Sequence, residues 1–514
     1  MREDWIEVEL GEIVSRISQR ALPKEMPDAK FVGMDCIEPN TLKPHKFYNF
    51  GEFKSSGNTF KLNQVLYGRM RPYLNKVYKA EFDGTCSGEF IVLKCKNNFI
   101  PDYLKYILHH RDFVRFANQK TSGDRPRISY EEITDYPIYL PPLPIQRAIV
   151  SKIEALFSDL DNGIANFKKA QEQLKIYRQA VLKKAFEGEL TREWREKQTN
   201  LPTAEELLQQ IKQERQNHYN QQIEEWKKAV KEWEKGGRKG EKTNKPRKVK
   251  ELSAFSEDEL NEFAELPKNW IWSKVDSIMD HNTHSIKAGP FGSSLKKSFY
   301  VEKGYKVYGQ EQAISGNHRC GDYYVNEKKY QELISCAIKP KDALISLVGT
   351  VGKVLILPDD CEHGIINPRL IKISFNSFYS PIFFKYYFES TYLKSLYAHK
   401  SHGATMDIIT LGIIQELPFP IFSLQEQTQI VQEIERRLSV CDKMEQSIKE
   451  SLAKAEALRQ SILKKAFEGK LLTEAEIQQC KQEADYEPAS ELLKKIQAEK
   501  AVKGQATNKK KQKE

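Results

Sequence analysis

The chain has 514 residues, too many for one ordinary domain and enough for about three or four, each able to bury a sizeable core. Apolar residues make up 39% and charged residues 30%, the balance of a soluble protein, and the charged fraction points to long exposed helices. A net charge of +10 favours a polyanionic partner without establishing one.

The opening MREDWIEVEL lacks the basic-then-apolar pattern of a secretory signal, and no later run approaches the ~18 apolar residues of a membrane span. A cytoplasmic location without membrane contact is therefore expected. Strand-like runs such as FIVLK at 90–94 precede a helix predicted over DYLKYILHHRDFVRFANQ at 102–119. The stretch YPIYLPPLPIQ at 136–146 reads as a proline-marked strand end, and a long helix starts directly after it. Along that helix Ile153, Phe157, Leu160, Ile164, Phe167, Leu174, Val181 and Ala185 fall on alternating steps of four and three. This is a heptad seam, interrupted by polar Gln171 and Arg178. Gly188 suits a C-cap, so about 43 residues form a rod of roughly 65 Å.

Beyond it TAEELLQQI at 203–211 predicts a short amphipathic helix, and the Gly- and Lys-rich GGRKGEKTNKPRKVK at 236–250 reads as a flexible linker. Further strands are predicted at ALISLVG (343–349), KVLIL (353–357) and LIKISF (370–375), with a helix over PIFFKYYFESTYLKSLYAH at 381–399. A second strand end, LPFPIFSLQEQ at 417–427, leads into a second long helix ending near Gly469. Its seam is Ile434, Leu438, Cys441, Ile448, Leu452, Ala455, Ile462 and Ala466, with Glu445 and Arg459 as polar breaks. A SELLKKIQ segment at 490–497 and a lysine-rich tail follow.

The two long helices are one text written twice. QRAIVSKIEALFSDLD at 146–161 aligns with QTQIVQEIERRLSVCD at 427–442, and the offset of 281 continues without a gap to LKKAFEGEL and LKKAFEGKL. Gln146 falls on Gln427. The openings DWIEVELGEIV at 4–14 and NWIWSKVDSIM at 269–279 also correspond, while most of the sequence between diverges. A domain-sized period excludes a solenoid and means tandem duplication. Two seams in one chain pack most simply on each other.

No catalytic residue and no metal ligand set emerges. VGTVGKV at 348–354 lacks the first glycine and the hydroxyl of a phosphate loop and reads as a strand-to-strand turn. INPRL at 366–370 lacks the second proline and the aromatic of an amino-methylating loop and reads as a strand lead-in. The eight cysteines include no C-x-x-C pair, and no histidine stands among carboxylates at ligand spacing. The divergent middles instead interleave basic, aromatic and amide side chains. The first carries Arg69, Arg71, Tyr73, Asn75 and Lys76, then Lys120, Arg125 and Arg127. The second carries Ser293, Ser294, Lys296 and Lys297 beside a glycine turn, then Gln310, Gln312, Asn317 and Arg319, and finally Thr405 in KSHGATMDIIT. Arginine can donate to both O6 and N7 of guanine, amides suit adenine, and hydroxyls, lysines and backbone N–H groups hold phosphates.

In this order of variable and constant segments the chain resembles the specificity subunits of Type I restriction-modification systems. The residues that carry the resemblance are LPPLPIQRAIVSKIEALFSDLD, SLQEQTQIVQEIERRLSVCD, the openings at Trp5 and Trp270, the GPFGSSLK turn and the TCSGEFIVLK strand at 85–94. The resemblance implies an α+β fold in which two mixed α/β target-recognition domains are separated by an antiparallel two-helix coiled coil, a pseudo-two-fold tandem repeat. It assigns target-recognition domains to 1–142 and 266–423 and spacer helices to 143–200 and 424–480. A short helix and basic linker occupy 201–265, and a short helix and lysine-rich tail 481–514. It further implies double-stranded DNA with a bipartite target, two modification subunits docked on exposed positions along 146–190 and 427–471, and two restriction subunits. By the same resemblance the chain itself is expected to bind no cofactor, with modification subunits that use S-adenosylmethionine to methylate adenine and restriction subunits that use ATP with Mg. Two rival expectations are a fused methyltransferase-type enzyme, for which no segment is left to house the S-adenosylmethionine domain, and a coiled-coil scaffold that binds only protein.

Overall fold

A run such as FIVL suits a strand buried on both faces, and the computed structural model, which describes residues 5–96, 99–238, 243–248, 251–400, 409–495 and 497–498, bears this out. The strand Phe90–Cys95 sends Ile91 and Leu93 into one hydrophobic cluster and Phe90 and Val92 into another. It is an inner member of an antiparallel sheet ordered Val14–Ile17, Phe90–Cys95, Val65–Gly68, Val77–Lys79. A second sheet of five short strands contains one parallel pair, Lys30–Val32 with Gly84–Cys86. Ile6–Glu9 pairs with Pro137–Leu140, joining the start of the recognition domain to its end.

The second recognition domain repeats this plan with almost none of the residues. Ile286–Ala288, Leu370–Ile373, Ala343–Ser346 and Val354–Ile356 form an antiparallel sheet in the same order. A second sheet again holds one parallel pair, Tyr305–Tyr308 with Gly364–Ile366, and Ile271–Ser273 pairs with Phe419–Ile421. The Leu370–Ile373 strand, the counterpart of Phe90–Cys95, splits its side chains in the same way, Ile371 and Ile373 to one cluster and Leu370 to another. VGTVGKV and INPRL are the turn and the strand lead-in expected of them.

The chain divides into two compact units, residues 1–169 with 447–514, and residues 170–446. These cut across the expected domain bounds, because each long helix contributes to both. The helices run Leu143–Phe186 and Leu424–Phe467, 44 residues each. Within the first unit Ile153, Phe157, Ile448 and Ile462 are buried and Leu160, Ile164, Phe167 and Leu452 half-buried. Arg459 lies over the Phe157 ring and bonds Asp161, while Ile145 and Ile149 line one space with Ala466 and Gly469, so the two segments run antiparallel. Within the second unit Leu174, Val181, Ile434 and Cys441 are buried and Leu438 half-buried. There Arg178 reaches Asp442 at 2.6 Å and Thr191 reaches Glu426 at 2.8 Å, again antiparallel. Arg178 and Arg459 are the same position of the repeat, as are Asp161 and Asp442. The two arginine breaks in the seams are therefore filled by one ion pair used twice, and the Glu445 break adds a second carboxylate to Arg178 at 3.2 Å.

The shared glutamine has the same work in both units. Gln146 accepts from the Ile100 backbone N–H at 3.0 Å and donates to the Pro141 carbonyl at 2.9 Å. Gln427 accepts from the Ser380 N–H at 2.7 Å and donates to the Phe378 and Phe422 carbonyls. Each amide, fully buried, ties a long helix to the start of a short helix of its recognition domain, Pro101–His109 in one and Pro381–Phe388 in the other. The helix ends also match: Gly188 and Gly469 both sit at φ 72°, and a side chain at Gly188 would strike Pro267.

Three helices depart from expectation. The one over 102–119 is two, Pro101–His109 and Arg111–Gln119, because His110 is extended. The one over 381–399 is also two, Pro381–Phe388 and Thr391–Lys400. In each case the break turns the chain so that aromatic faces on both sides reach the core. The helix expected at 203–211 runs on to Lys235 for 32 residues, with Thr203 and Glu206 closing a capping box and no glycine before Gly236. Of the basic linker, 239–242 and 249–250 lie outside the described residues.

His109, at the end of Pro101–His109, is 3% exposed and its Nδ1 has no hydrogen-bond partner among the described residues. Burial pulls its pKa down to about 4. The folded protein therefore holds the ring neutral where the unfolded chain, near 6.5, takes up a proton. This term supports folding fully above pH 6.5 and is lost as pH falls towards 4, a change of about 3 kcal/mol. Urea midpoints measured at pH 7.5 and 5 should fall more for the wild type than for His109→Gln; equal falls would remove His109 as the cause.

Candidate nucleic-acid interface

The hairpin between Val65–Gly68 and Val77–Lys79 carries the first predicted cluster, and the segment after Arg111–Gln119 carries the second. The fold joins them. The Arg71 N–H donates to the Pro126 carbonyl at 2.8 Å, the Ile128 N–H to the Arg69 carbonyl at 3.0 Å, and Met70 and Arg127 form a β-bridge. Arg71 is exposed and held at φ 53°, in the left-handed region that disfavours a side chain, directly before Pro72.

Arg125 is exposed and makes no ion pair with any described residue. Arg127 is exposed and bonded by both Nε and Nη2 to the Glu89 carboxylate, at 3.1 and 3.0 Å. Lys120 lies over the Phe116 ring and 3.4 Å from Asp135. Arg69 is half-buried, its Nε covered and without a partner among the described residues.

Two members of this set are internal. Asn75 is 5% exposed, and its Nδ2 donates to the His109 carbonyl at 2.9 Å, holding the hairpin against the Pro101–His109 helix. Lys76 is half-buried and donates to the Met34 carbonyl at 2.7 Å. The expectation that Asn75 touches DNA is corrected: its amide is buried and its Nδ2 is bonded to a backbone carbonyl, with Oδ1 lacking a partner among the described residues. The Lys76 Nζ is likewise bonded to a backbone carbonyl although the side chain is half-buried.

In the second domain Ser293, Ser294, Lys296 and Lys297 are exposed in two short 3-10 turns pinned by buried Leu295, with Gly292 at φ 60°. Gln312 is a further correction. It is fully buried, accepts from the Gly309 N–H at 2.7 Å and donates to the Cys320 carbonyl at 2.6 Å, so no base edge can reach its amide. In the first domain the Cys36 thiol takes the same place, accepting from the Gly33 N–H. Gln310 is half-buried and Asn317 exposed, the latter accepting from the Arg319 N–H at 3.0 Å. Arg319 is exposed and 2.6 Å from Asp360, whose carboxyl it holds below the usual carboxylate range. Thr405 lies outside the described residues.

Sequence reasoning missed Glu89 and Arg369. The carbonyl of Glu89 accepts from the Arg69 N–H at 2.9 Å, and that of Arg369 from the Leu347 N–H at 3.0 Å, so the two hold the same place in the two sheets. Arg369 is exposed and forms no ion pair with a described residue. Both stand one residue before a predicted strand, the only signal they gave. Among the described residues no group of three or more ligating side chains is placed to hold a metal, and no helix is long and apolar enough to cross a membrane.

A family model described as the Type I restriction modification DNA specificity domain matches residues 2–169 and 290–454. The EcoDI specificity subunit of Escherichia coli, a Type I restriction enzyme subunit, is 29% identical over 220 residues, 41% of this chain and 49% of that protein. The EcoBI specificity subunit of Escherichia coli is 23% identical over 415 residues, 80% of this chain and 75% of that protein. The chain thus spans about half the length of the first relative and three quarters of the second. A chain solved in work on complex assembly and conformational transition of the type I R-M system shares the fold at a TM-score of 0.65 and 18% identity, over 92% of this chain and 99% of that one. With both repeats matched, and more than half of its residues covered, this chain belongs to the Type I restriction modification DNA specificity domain family.

Proposed function

We propose that this chain is the DNA-specificity subunit of a Type I restriction-modification complex, without catalysis of its own. Each recognition domain reads one half of a bipartite target in double-stranded DNA. The paired helices set the spacing of the halves, as a pseudo-dimer made from one chain. The observation that carries this reading is the repeated architecture: two recognition domains of one strand order, each joined to a long helix by the same glutamine, on helices paired by the same ion pair.

The outer faces of those helices suit two modification subunits, which would bring S-adenosylmethionine to the target adenines; restriction subunits would bring ATP and Mg to the assembled complex. Ile176, Tyr177, Val440, Met444 and Leu458 are exposed there although the seams are covered, an apolar content that solvent alone does not favour. Lys183 pairs with Glu187 at 3.8 Å and Lys464 with Glu468 at 3.7 Å, while Lys184 and Lys465 point outward without an ion partner among the described residues.

The test is to express the chain with its modification partner and map methylated adenines across a genome. A split motif is expected. Methyl transfer by the chain free of partners would defeat the non-catalytic reading. Within that motif, Arg125→Ala with Arg127→Ala should relax one half only, by about 1–3 kcal/mol for each base-edge interaction removed. Equal weakening on all sequences would instead assign both arginines to phosphates.

A further inference from the structure

Among the carboxylates near the basic cluster of the first domain, Glu89 has a specific geometry. Glu89 faces Arg127 with both oxygens, one to Nε and one to Nη2, in the fork-to-fork arrangement that fixes a guanidinium plane. Glu89 is itself held: its carbonyl accepts from Arg69, its N–H donates to the Ser87 hydroxyl at 3.2 Å, and the buried strand Phe90–Cys95 begins at the next residue. The Arg127 backbone is fixed by its bridge to Met70. With the Nε edge occupied, the edge formed by Nη1 and the outer side of Nη2 is left, and no described residue bonds Nη1. That edge presents two parallel N–H donors, the pattern that matches O6 and N7 of guanine in the major groove.

We propose that Glu89 is a positioning residue for sequence reading: it holds Arg127 so that the free edge of the guanidinium reads a guanine in the half-site of the first domain. This rests on the DNA-specificity reading above and adds to it a residue, a base and a geometry. A free arginine on the same loop would reach phosphates and several bases by rotating its side chain. The carboxylate removes those rotamers before binding and so converts attraction into discrimination. The second domain has no such device at the matching place, where Arg369 stands instead of Glu89.

The experiment uses the full chain in complex with its modification partner, selected on duplexes in which each position of the half-sites is randomised in turn. Arg127→Ala identifies the position that Arg127 reads, and a guanine is expected there. Glu89→Ala should flatten the preference at that same position roughly 10- to 100-fold, and Glu89→Gln, which keeps one acceptor, should flatten it less. The pair Glu89→Ala with Arg127→Ala should discriminate no worse than Arg127→Ala alone, because Glu89 acts only through the arginine. Preferences in the other half-site should stay as in the wild type, which also reports that the variants are folded. The proposal is overturned if Glu89→Ala changes no preference, weakens all sequences equally, or alters a position that Arg127→Ala does not. A wild-type complex that selects no sequence at all would overturn the DNA-specificity reading together with it, whereas a selective wild type with an unaltered Glu89→Ala removes the positioning role alone.

Discussion

Glu426→Ala should destabilise the second unit by about 3–5 kcal/mol, the range expected when one partner of a buried ion pair is removed. Glu426 is 2% exposed at the start of the second long helix and faces three donors: Arg195 Nε at 2.7 Å, the Thr191 hydroxyl at 2.8 Å and Trp270 Nε1 at 3.0 Å. Removing the carboxylate leaves a half-buried cation and two polar hydrogens without acceptors. Arg195 also donates to the Gly188 carbonyl, so the same guanidinium closes the end of the first long helix. Glu426→Gln should lose less than alanine but still weaken the unit, since an amide turns one acceptor into a donor facing donors. Chemical denaturation of the full chain, followed by tryptophan fluorescence, to which Trp270 contributes where it stacks on Phe422 at 3.6 Å, would measure both. A loss below about 1 kcal/mol for Glu426→Ala would mean that water reaches the site and solvates what the structure shows as buried.

The repeat makes this site informative, because its counterpart is built from other forces. By the constant offset Glu426 falls on Ile145, and Trp270 matches Trp5. In the first unit Ile145 and Trp5 line an apolar space with Ile149, Leu471, Leu472 and Ile477, and the Trp5 indole N–H has no acceptor among the described residues. One position thus carries an ion network in one unit and packed aliphatic side chains in the other. Replacing a buried pair with apolar groups of similar volume is often neutral. The duplicated fold holds both solutions side by side.

What could be read in advance was periodic or terminal. The seam from Ile153 to Val181 and from Ile434 to Ile462 rests on spacing alone, and Gly188 and Gly469 mark helix ends because few other residues accept that backbone. The shared strand order of the recognition domains was not legible, since only its burial pattern is repeated and not its residues. Asn75 and Gln312 looked like base readers because an amide's chemistry is visible in a sequence while its burial is set by the fold, through the His109 carbonyl 34 residues on for Asn75 and the Cys320 carbonyl at the close of a local loop for Gln312. Glu89 was passed over for the converse reason. A carboxylate ahead of a strand reads as ordinary surface until the fold places it against Arg127, 38 residues away.

Inserting one heptad into each long helix, after Phe167 and after Ile448, should abolish recognition of the native target while leaving both recognition domains intact. Asp161 and Arg178 are separated by the same number of residues as Asp442 and Arg459. An insertion in one helix alone therefore cannot keep both ion pairs, whereas matched insertions can. Seven residues preserve the facing of the seam to within about 20° and add roughly 10 Å of helix. On DNA that length corresponds to about three base pairs, which also turn the second half-site by roughly 100° around the duplex. Under the proposed bipartite reading, one half-site would then be met in register and the other on the wrong face of the duplex. With each mismatched base pair costing about 1–3 kcal/mol, losing half a target should lower selectivity 100-fold or more. Selection from duplexes whose two half-sites are separated by every spacer from three to twelve base pairs would read the result. Recovery on a longer spacer, or on none, fits helices that act as a ruler. Retention of the native spacer at native strength would show that the domains find their half-sites independently, and the paired helices would then be a platform for protein alone.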